Sequence, residues 1–442
     1  MNKIFKISIV ATSFLTFAVH QVNAGDAKPN SMDKFPTDPA AQVTLMNFFH
    51  PPYNEWAFRN AGVQSTLMVP RGGDIVMLPS KANTKIAALK FEWDGKPYTV
   101  RNAMVGDHTD GIIVIKGGEI AYEEYFGDFT ERDQHIWASS TKSLIGMSTG
   151  ILVAQGKLDV SKKVGFYLPE LRDKYFGQRT VRQVLNMISA LGYIEDYENF
   201  TPVTISTEYI RRLGLVPAFD LMTLDPKKDD TPRGLRSLAA RFKGNPNLKP
   251  GEKFEYHSPN VDIIGWLINR ITGKPLQTFI ADNVWNKLGV EHDAFFLADT
   301  EFKAMGTGGF NTTLRDAARV GLAVLNNGAY NGHQVFPEKW VKDTFTLSDA
   351  DRLHVARSSF KDKEGSGFDP SLEGYKNFLW VHDSKKKIAT FRGVFGQMIY
   401  INQDADVVIA TFSSALRAAN GSRETNKPRM AAFKAIADYL KK

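Results

Sequence analysis

Cysteine is absent from the 442 residues of the sequence. This absence excludes disulfide bonds, a thiol nucleophile and a lipid anchor on cysteine. Long apolar runs are also lacking, because no stretch reaches the roughly 20 apolar residues that a membrane-spanning helix needs. Charge of one sign is only slightly in excess: the formal net charge is +7, and the one dense run, residues 385–387, is interpreted as a solvated turn. We therefore expect no membrane span and no nucleic-acid partner.

The first 24 residues are typical of a secretory signal peptide. Lys3 and Lys6 precede an apolar run over residues 7–19, and Val22 and Ala24 provide a small-x-small cleavage site. We expect cleavage after Ala24 and a soluble mature protein in the bacterial periplasm or outside the cell.

Strand and helix patterns divide the rest of the chain into two parts. Residues 25–105 are rich in proline and then in aromatic residues without a clear period, so we expect an extension wrapped on the main domain. Residues 106–442 form the predicted domain, with the hairpin pattern GIIVIKGGEIAYEEYF near its start. A mainly helical region follows at about residues 145–370, then strand patterns at 377–383, 388–402 and 407–414 and a helix at 429–440. This order predicts an α/β protein of the α+β kind, whose antiparallel sheet is built from both chain ends and flanked by helices.

Two serine-hydrolase motifs overlap in the sequence SSTKSLIGMSTG, residues 139–150. Ser139-x-x-Lys142 is typical of penicillin-recognising enzymes, whereas Gly146-x-Ser148-x-Gly150 is typical of the nucleophile elbow of α/β-hydrolases. The first pattern alone is not specific, because it occurs four times in the chain. The two motifs place the nucleophile in different folds, so their context has to decide between them.

The context favours Ser139, which opens a helix predicted over residues 139–155. The three-residue spacing puts Lys142 on the same face of that helix, one turn further on. A lysine whose pKa is lowered by burial can help to remove the serine proton, and the free N–H groups of a helix start can bind an oxyanion. Without these features the two residues would be an ordinary surface pair. Ser148 lacks the preceding strand of an elbow, so it is interpreted as a small residue for close packing.

Tyr256, in the sequence PGEKFEYHS, is a candidate for the group that moves the proton. A phenol close to the serine and the lysine can be held near its phenolate state by a cationic lysine. The structural alternative is a half-buried tyrosine at a junction between a loop and a helix.

The order of these segments resembles the serine β-lactamase-like family, which includes class C β-lactamases, D-alanyl-D-alanine carboxypeptidases and family VIII carboxylesterases. The resemblance covers about residues 110–440. Within the family, the segments SSTKS, NMISALGYIEDY, FEYHSPNVDIIGWLINRITGK and GVFGQMIYINQDADVVIA are most similar to the 6-aminohexanoate-dimer hydrolase type. The resemblance implies a β-lactamase/transpeptidase-like fold.

The resemblance also implies roles for individual residues. Ser139 would be the acylated nucleophile, Lys142 its activating partner and Tyr256 the general acid and base. The oxyanion hole would combine the Ser139 N–H with one from residues 393–397. The residues implied for oxyanion or substrate binding are Ser258, Tyr197, Val394 and Gln397.

One departure from the family pattern bears on the substrate. Penicillin-recognising members carry Lys-Thr-Gly on the strand beside the nucleophile, where the lysine meets the substrate carboxylate. Here residues 393–397 read GVFGQ, Ser258 replaces the usual asparagine, and Arg392 is adjacent without a guarantee that it faces the site. These changes argue against efficient β-lactam turnover.

The leading hypothesis is an exported serine hydrolase that cleaves a small-molecule ester or short amide. The alternatives are a β-lactamase or a D-alanyl-D-alanine carboxypeptidase of the same fold, and a catalytically silent binding protein. No metal or cofactor is implied, because the sequence has no zinc-protease motif, no phosphate-binding loop and no dinucleotide glycine fingerprint.

Overall fold

The computed structural model describes residue 32 and residues 37–195, 204–215, 234–358, 371–418 and 426–441. The predicted signal peptide, residues 1–24, and Tyr197 lie outside these described residues. Within the described ranges, no helix is long and apolar enough to cross a membrane.

The longest strands lie towards the two ends of the domain. The strands are β1 (Thr66–Val69), β2 (Lys90–Trp93), β3 (Lys96–Thr99), β4 (Thr109–Lys116), β5 (Glu119–Tyr125), β6 (His135–Ile136), β7 (Ala294–Leu297), β8 (Phe310–Thr312), β9 (Ala329–Tyr330), β10 (His333–Gln334), β11 (Gly374–Lys376), β12 (Leu379–Asp383), β13 (Ile388–Arg392), β14 (Met398–Asn402) and β15 (Val407–Ser413).

Most helices lie between these two groups of strands. They are α1 (Tyr53–Arg59), α2 (Val100–Gly106), α3 (Ser140–Ala154), α4 (Val164–Tyr167), α5 (Val181–Leu185), α6 (Ile205–Arg212), α7 (Leu235–Ala239), α8 (Pro259–Thr272), α9 (Leu276–Asn283), α10 (Leu314–Leu325), α11 (Glu338–Phe345), α12 (Asp349–Ala356) and α13 (Asn426–Leu440). Helix α3 confirms the helix predicted over residues 139–155 to within one residue at each end.

Strands from both chain ends form one antiparallel sheet, as the sequence predicts. Seven strands pair in the order β11-β12-β13-β14-β15-β4-β5, so the first hairpin of the domain lies beside its last strand. The hairpin turns where predicted, because Lys116 pairs with Glu119 across it. Residues 385–387 lie in the turn between β12 and β13.

Both faces of this sheet are covered, so its central strands are buried along their whole length. Alternate residues of β4 point to opposite faces. Ile112 and Val114 pack with α2 and α13 in one apolar cluster. Ile113 and Ile115 pack in the larger cluster, which also contains the apolar residues of α3 and α10. Helix α3 therefore lies against one face of the sheet, where its first turn meets the end of β13.

Four short strands, β7 to β10, lie within the region that the sequence predicts to be mainly helical. Strands β7 and β8 join β1 and β6 in a second antiparallel sheet. The sequence analysis placed strand patterns only from residue 377 onward in this half of the chain, so these four strands were missed. All four residues of β7 are buried. A short strand that is buried on both faces has no alternation of polar and apolar residues to reveal it.

The predicted N-terminal extension contributes ordered structure. It contains the helices α1 and α2 and the strands β1, β2 and β3. Strand β1 pairs with β7 of the domain over residues Thr66 to Val69. Asn54 on α1 donates hydrogen bonds to the carbonyls of Ser414 and Ala415, at 3.2 and 3.0 Å. These contacts hold α1 against the chain that follows β15.

Candidate active site

The first turn of α3 brings the predicted serine and lysine together. Lys142 Nζ lies 2.7 Å from Ser139 Oγ and 2.6 Å from the carbonyl oxygen of Thr307. Ser139 is the N-cap of the helix, and the residue before it, Ala138, has a φ of +44°. A non-glycine residue rarely adopts this left-handed conformation outside tight turns and functional sites. The sharp turn at Ala138 positions Ser139 at the start of the helix.

Lys142 is almost completely buried, with 2% of its surface exposed. Burial lowers its pKa to about 8, while the carboxylates of Glu195 and Asp262 act in the opposite direction. Desolvation disfavours the ammonium form more strongly than these two carboxylates favour it. At pH 7 a pKa of about 8 leaves about a tenth of Lys142 as the neutral amine, far more than for an ordinary lysine, and this form can accept a proton from Ser139.

Tyr256 contacts both Ser139 and Lys142. Its hydroxyl is hydrogen-bonded to Ser139, and Lys142 Nζ lies 5.2 Å from the centre of its ring. Burial raises the pKa of the phenol well above its usual value and Glu195 adds to this effect, whereas the bond to Ser139 and the charge of Arg392 lower it. Tyr256 is therefore held as a protonated phenol, ready to donate.

Aromatic packing fixes the Tyr256 ring. Trp380 on β12 stacks on it with ring centres 5.5 Å apart, and Tyr375 on β11 meets its edge at 6.4 Å. The guanidinium of Arg392 lies 5.5 Å from the Trp380 ring centre. Arg392 is thus on the side of β13 that approaches the site, where its charge acts on Tyr256.

Ser258 is anchored by a carboxylate that the sequence analysis did not single out. Glu195 accepts hydrogen bonds from the backbone N–H and the hydroxyl of Ser258, at 3.0 and 2.6 Å. This arrangement fixes the start of α8, two residues after Tyr256. Glu195 lies two residues before the predicted Tyr197, and only the folded chain brings it to Ser258.

The loop of residues 393–397 lies against the backbone of the candidate nucleophile. A Cβ atom on Gly393 would lie 3.1 Å from the Ser139 nitrogen and 2.4 Å from the carbonyl oxygen of Trp137. Glycine at this position allows the close approach of the loop and the helix start. Val394 lines the cavity described below. The side chain of Gln397 has another role, because its amide is hydrogen-bonded to the backbone N–H and C=O of Ser413.

A second anchor for this loop comes from the last helix. Arg429 on α13 is fully buried. It donates hydrogen bonds to the carbonyl of Gly396 and to the hydroxyl of Ser413, the latter at 2.7 Å, and it forms an ion pair with the buried Asp107. The C-terminal helix thereby fixes the geometry of the loop beside Ser139. No local pattern predicts this contact, because it joins segments that are far apart in the chain.

Ser139 opens into a cavity of about 280 Å³. Its polar lining includes Lys142, Glu195, Ser258 and Thr307. The wall is otherwise largely apolar and includes Ile136, Ile210, Leu213, Met305, Val394 and Leu416, together with Leu45, Met46, Phe49, His50 and Pro51 of the N-terminal extension. A site of this kind suits a small, mainly apolar molecule that presents one polar group to Ser139. In the described part of the chain, no group of three or more acidic or histidine side chains could hold a metal ion.

Ser148 is remote from this chemistry. It is completely buried, and its hydroxyl donates to the carbonyl of Leu144 at 2.7 Å. A Cβ atom on Gly146 would lie 2.0 Å from the Asn377 carbonyl, and one on Gly150 would lie 2.2 Å from the Trp340 ring. The small residues of Gly-x-Ser-x-Gly thus allow neighbouring elements to pack closely on α3.

The comparisons with known proteins agree with this architecture. The family model described as Beta-lactamase matches residues 101–432. The chain is 26% identical over 388 residues to 6-aminohexanoate-dimer hydrolase of Paenarthrobacter ureafaciens, covering 86% of this chain and 90% of that protein.

Two solved structures extend the comparison. One is a protein from Bacillus anthracis provisionally named a 6-aminohexanoate-dimer hydrolase, with a TM-score of 0.77, 25% identity, and coverage of 90% of this chain and 97% of that one. The other is a family VIII carboxylesterase, with a TM-score of 0.52, 15% identity, and coverage of 76% and 96%. The second likeness concerns the fold alone. The predicted family and its β-lactamase/transpeptidase-like fold are confirmed: the chain belongs to the beta-lactamase family and is a serine hydrolase.

Proposed function

We propose that this enzyme cleaves a small carboxylic ester or amide through an acyl-enzyme on Ser139. The observation that carries the proposal is the buried contact of 2.7 Å between Ser139 Oγ and Lys142 Nζ at the floor of the cavity. A serine hydroxyl becomes a competent nucleophile when a base of suitable pKa lies within hydrogen-bond distance. The names of the two 6-aminohexanoate-dimer hydrolase relatives and of the carboxylesterase structure support the same two substrate classes.

Acylation starts with removal of the Ser139 proton. The neutral amine of Lys142 takes this proton as Oγ attacks the substrate carbonyl carbon. The sequence analysis expected Tyr256, paired with Lys142, to take it. The opposite pKa shifts of the two groups instead favour lysine as the acceptor, because one is lowered to about 8 and the other is raised.

Breakdown of the tetrahedral intermediate needs an acid. The phenol of Tyr256 donates its proton to the leaving oxygen or nitrogen as the bond to the carbonyl carbon breaks. The lysine ammonium then returns a proton to the tyrosinate, which restores both groups. In deacylation Lys142 takes a proton from a water molecule as the water oxygen attacks the acyl carbon. The lysine ammonium then returns this proton to Ser139 Oγ as the bond between the acyl carbon and Oγ breaks, which releases the carboxylic acid and restores the free enzyme.

The oxyanion of each intermediate needs N–H donors. We propose that the Ser139 N–H and an N–H of the 393–397 loop supply them, since the loop approaches the Ser139 nitrogen closely. Preorganised donors of this kind stabilise charge that develops in the transition state. Gly396 and Gln397 are held from outside the cavity by Arg429 and Ser413, which keeps the loop rigid.

The cavity favours an uncharged reacting group over a penicillin. Arg392, the cation next to the loop, stacks on Trp380 at 5.5 Å, and its charge acts on Tyr256. The position equivalent to the family's cationic lysine is occupied by the GVFGQ sequence. The substrate carboxylate of a β-lactam would therefore lack its usual partner.

The test is trapping of the acyl-enzyme. The purified protein is mixed with a nitrophenyl ester, and intact mass spectrometry and peptide mapping follow the added acyl group. We expect a burst of nitrophenol and an acyl adduct on Ser139. Turnover without any adduct on Ser139 would contradict the proposal. A panel of esters, linear amides, cephalosporins and D-amino peptides, run on one preparation, would then rank the substrate classes.

We also propose that the enzyme is exported, on the evidence of Lys3, Lys6 and the apolar run over residues 7–19. N-terminal sequencing of protein recovered from a periplasmic fraction tests this. The expected first residue is Gly25, and an intact Met1 in a cytoplasmic fraction would contradict it.

A further inference from the structure

The outer part of the cavity is built by the N-terminal extension. The lining residues of the extension, which we call the N-terminal wall, are Leu45, Met46, Phe49, His50 and Pro51, and they line the cavity together with Val394, Phe395 and Leu416. Three apolar side chains at this mouth are strongly exposed: Leu45 at 40%, Met46 at 67% and Leu416 at 52%. Exposed apolar side chains that cluster at the mouth of a cavity commonly mark a binding surface.

The N-terminal wall is held in place by aromatic contacts with the loop beside Ser139. The ring of Phe49 stacks on Phe395 with centres 6.2 Å apart, and Phe58 on α1 meets Phe395 edge-on at 5.1 Å. The hydrogen bonds of Asn54 fix α1 to the chain after β15, at Ser414 and Ala415. The wall is thus a fixed part of the site, attached to the same loop that borders the reacting serine.

The charged groups at the inner end of the cavity already have partners, whereas His50 belongs to the N-terminal wall and Arg417 follows Leu416. Lys142 contacts Ser139 and Thr307 at the floor. Glu195 accepts both hydrogen bonds from Ser258. Arg417 and His50 are exposed at the rim. An apolar chain extending from Ser139 towards the mouth would therefore run between the N-terminal wall and Leu416.

We propose that the N-terminal wall is the acyl-chain site of the enzyme and sets its preference for substrates with an extended apolar acyl group. This inference rests on the proposed acyl-enzyme at Ser139, because the acyl group is the part of the substrate that stays in the cavity after acylation. The chemistry of the site predicts linear aliphatic acyl chains, whose methylenes leave water as they contact Leu45, Met46 and Leu416.

The first arm of the test is a series of nitrophenyl esters from acetate to octanoate on the full chain. Complete burial of one methylene corresponds to about a fourfold gain. We expect kcat/KM to rise by about tenfold or more between acetate and hexanoate. A flat profile over this range would overturn the acyl-chain site.

The second arm compares two double variants that are matched in chemistry and exposure. Leu45→Gln with Met46→Gln changes the wall. Met68→Gln with Met77→Gln changes two methionines of the same extension, exposed at 52% and 65%, that are not among the cavity-lining residues. We expect the wall variant to lower the ratio of kcat/KM for octanoate to that for acetate by about fivefold or more. The control should keep the wild-type profile, and an equal loss in both variants would overturn the proposal.

The same experiment separates this inference from the proposed function. Hydrolysis of the acetate ester with an adduct on Ser139, but without any dependence on chain length, contradicts only the acyl-chain site. If the wild type shows neither ester turnover nor an adduct, the proposed function and the acyl-chain site both fail.

Discussion

The two candidate serines of the α3 segment, the half-buried N-cap Ser139 and the buried Ser148, have different surroundings. Ser139, at its first turn, has Lys142 Nζ at 2.7 Å and a cavity beside it. Ser148, near its middle, returns its hydrogen bond to Leu144 of the same helix and has Gly146 and Gly150 packed on either side. Both belong to a recognised serine-hydrolase motif, but only one has a base, a neighbouring acid and space for a substrate. The comparison shows that the neighbouring base, acid and cavity, rather than the sequence motif, identify the nucleophile.

The largest expected effect is the difference in activity between alanine variants of these two serines. Ser139→Ala should lower kcat for a nitrophenyl ester by about three orders of magnitude or more, because the hydroxyl proposed to be acylated, which contacts Lys142 Nζ, is then removed. Ser148→Ala should keep kcat within about threefold and cost about 1 kcal/mol of stability for the lost hydrogen bond. Steady-state kinetics and urea denaturation of both variants check this, and a larger kcat loss in Ser148→Ala would reverse the assignment.

A smaller effect is expected at the acid. Tyr256→Phe should lower turnover of an alkyl ester by about a hundredfold, because the alkoxide then leaves without a proton. The loss should be smaller for a nitrophenyl ester, whose leaving group needs little protonation. Tyr375→Phe is the matched control, since Tyr375 packs on Tyr256 at 6.4 Å. Equal losses on both esters would argue against proton donation by Tyr256.

The pH dependence sharpens the role of the lysine. With a Lys142 pKa of about 8, the ammonium form predominates below pH 8 and cannot accept the Ser139 proton. The value of kcat/KM should therefore rise about tenfold per pH unit below about pH 8 and level off above it. A pH profile on a neutral ester measures this. A profile that is flat from pH 6 to 9 would contradict lysine as the base.

The smallest effect on activity is expected from changes to the packing of the Gly-x-Ser-x-Gly motif, which should alter the free energy of unfolding instead. Gly150→Ala should cost about 1–3 kcal/mol of unfolding free energy, because the added methyl would lie 2.2 Å from the Trp340 ring. Gly265→Ala in α8 is the control, since its nearest neighbour is a Leu276 methyl at 3.4 Å. Urea denaturation should show a loss for the first variant and none for the second. Equal stability would mean that close packing does not explain the motif.

Local patterns were sufficient to predict the helix over residues 139–155, the hairpin around Lys116 and the strands β12 and β15. The single strand pattern over residues 388–402 was wrong, because the structure has two strands there, β13 and β14, with residues 393–397 as the loop between them. Spacing within one helix was sufficient to pair Ser139 with Lys142. The family resemblance supplied the candidate Tyr256, and the structure brings all three side chains together.

Other parts of the site leave no local trace in the sequence. Glu195 meets Ser258, and Arg429 meets Gly396, across long separations in the chain. Residues 45–51 lack a periodic pattern because they line a cavity rather than cover a sheet or helix face. Contacts of this kind depend on the tertiary fold, so only the folded chain could reveal them.

The most direct test of the central claim uses a fluorophosphonate probe on the purified protein, followed by peptide mapping of the modified residue. Activity should be lost in proportion to labelling, and the label should be on Ser139. A label on Ser148, or full activity loss with Ser139 unmodified, would contradict the assignment of the first turn of α3 as the catalytic centre.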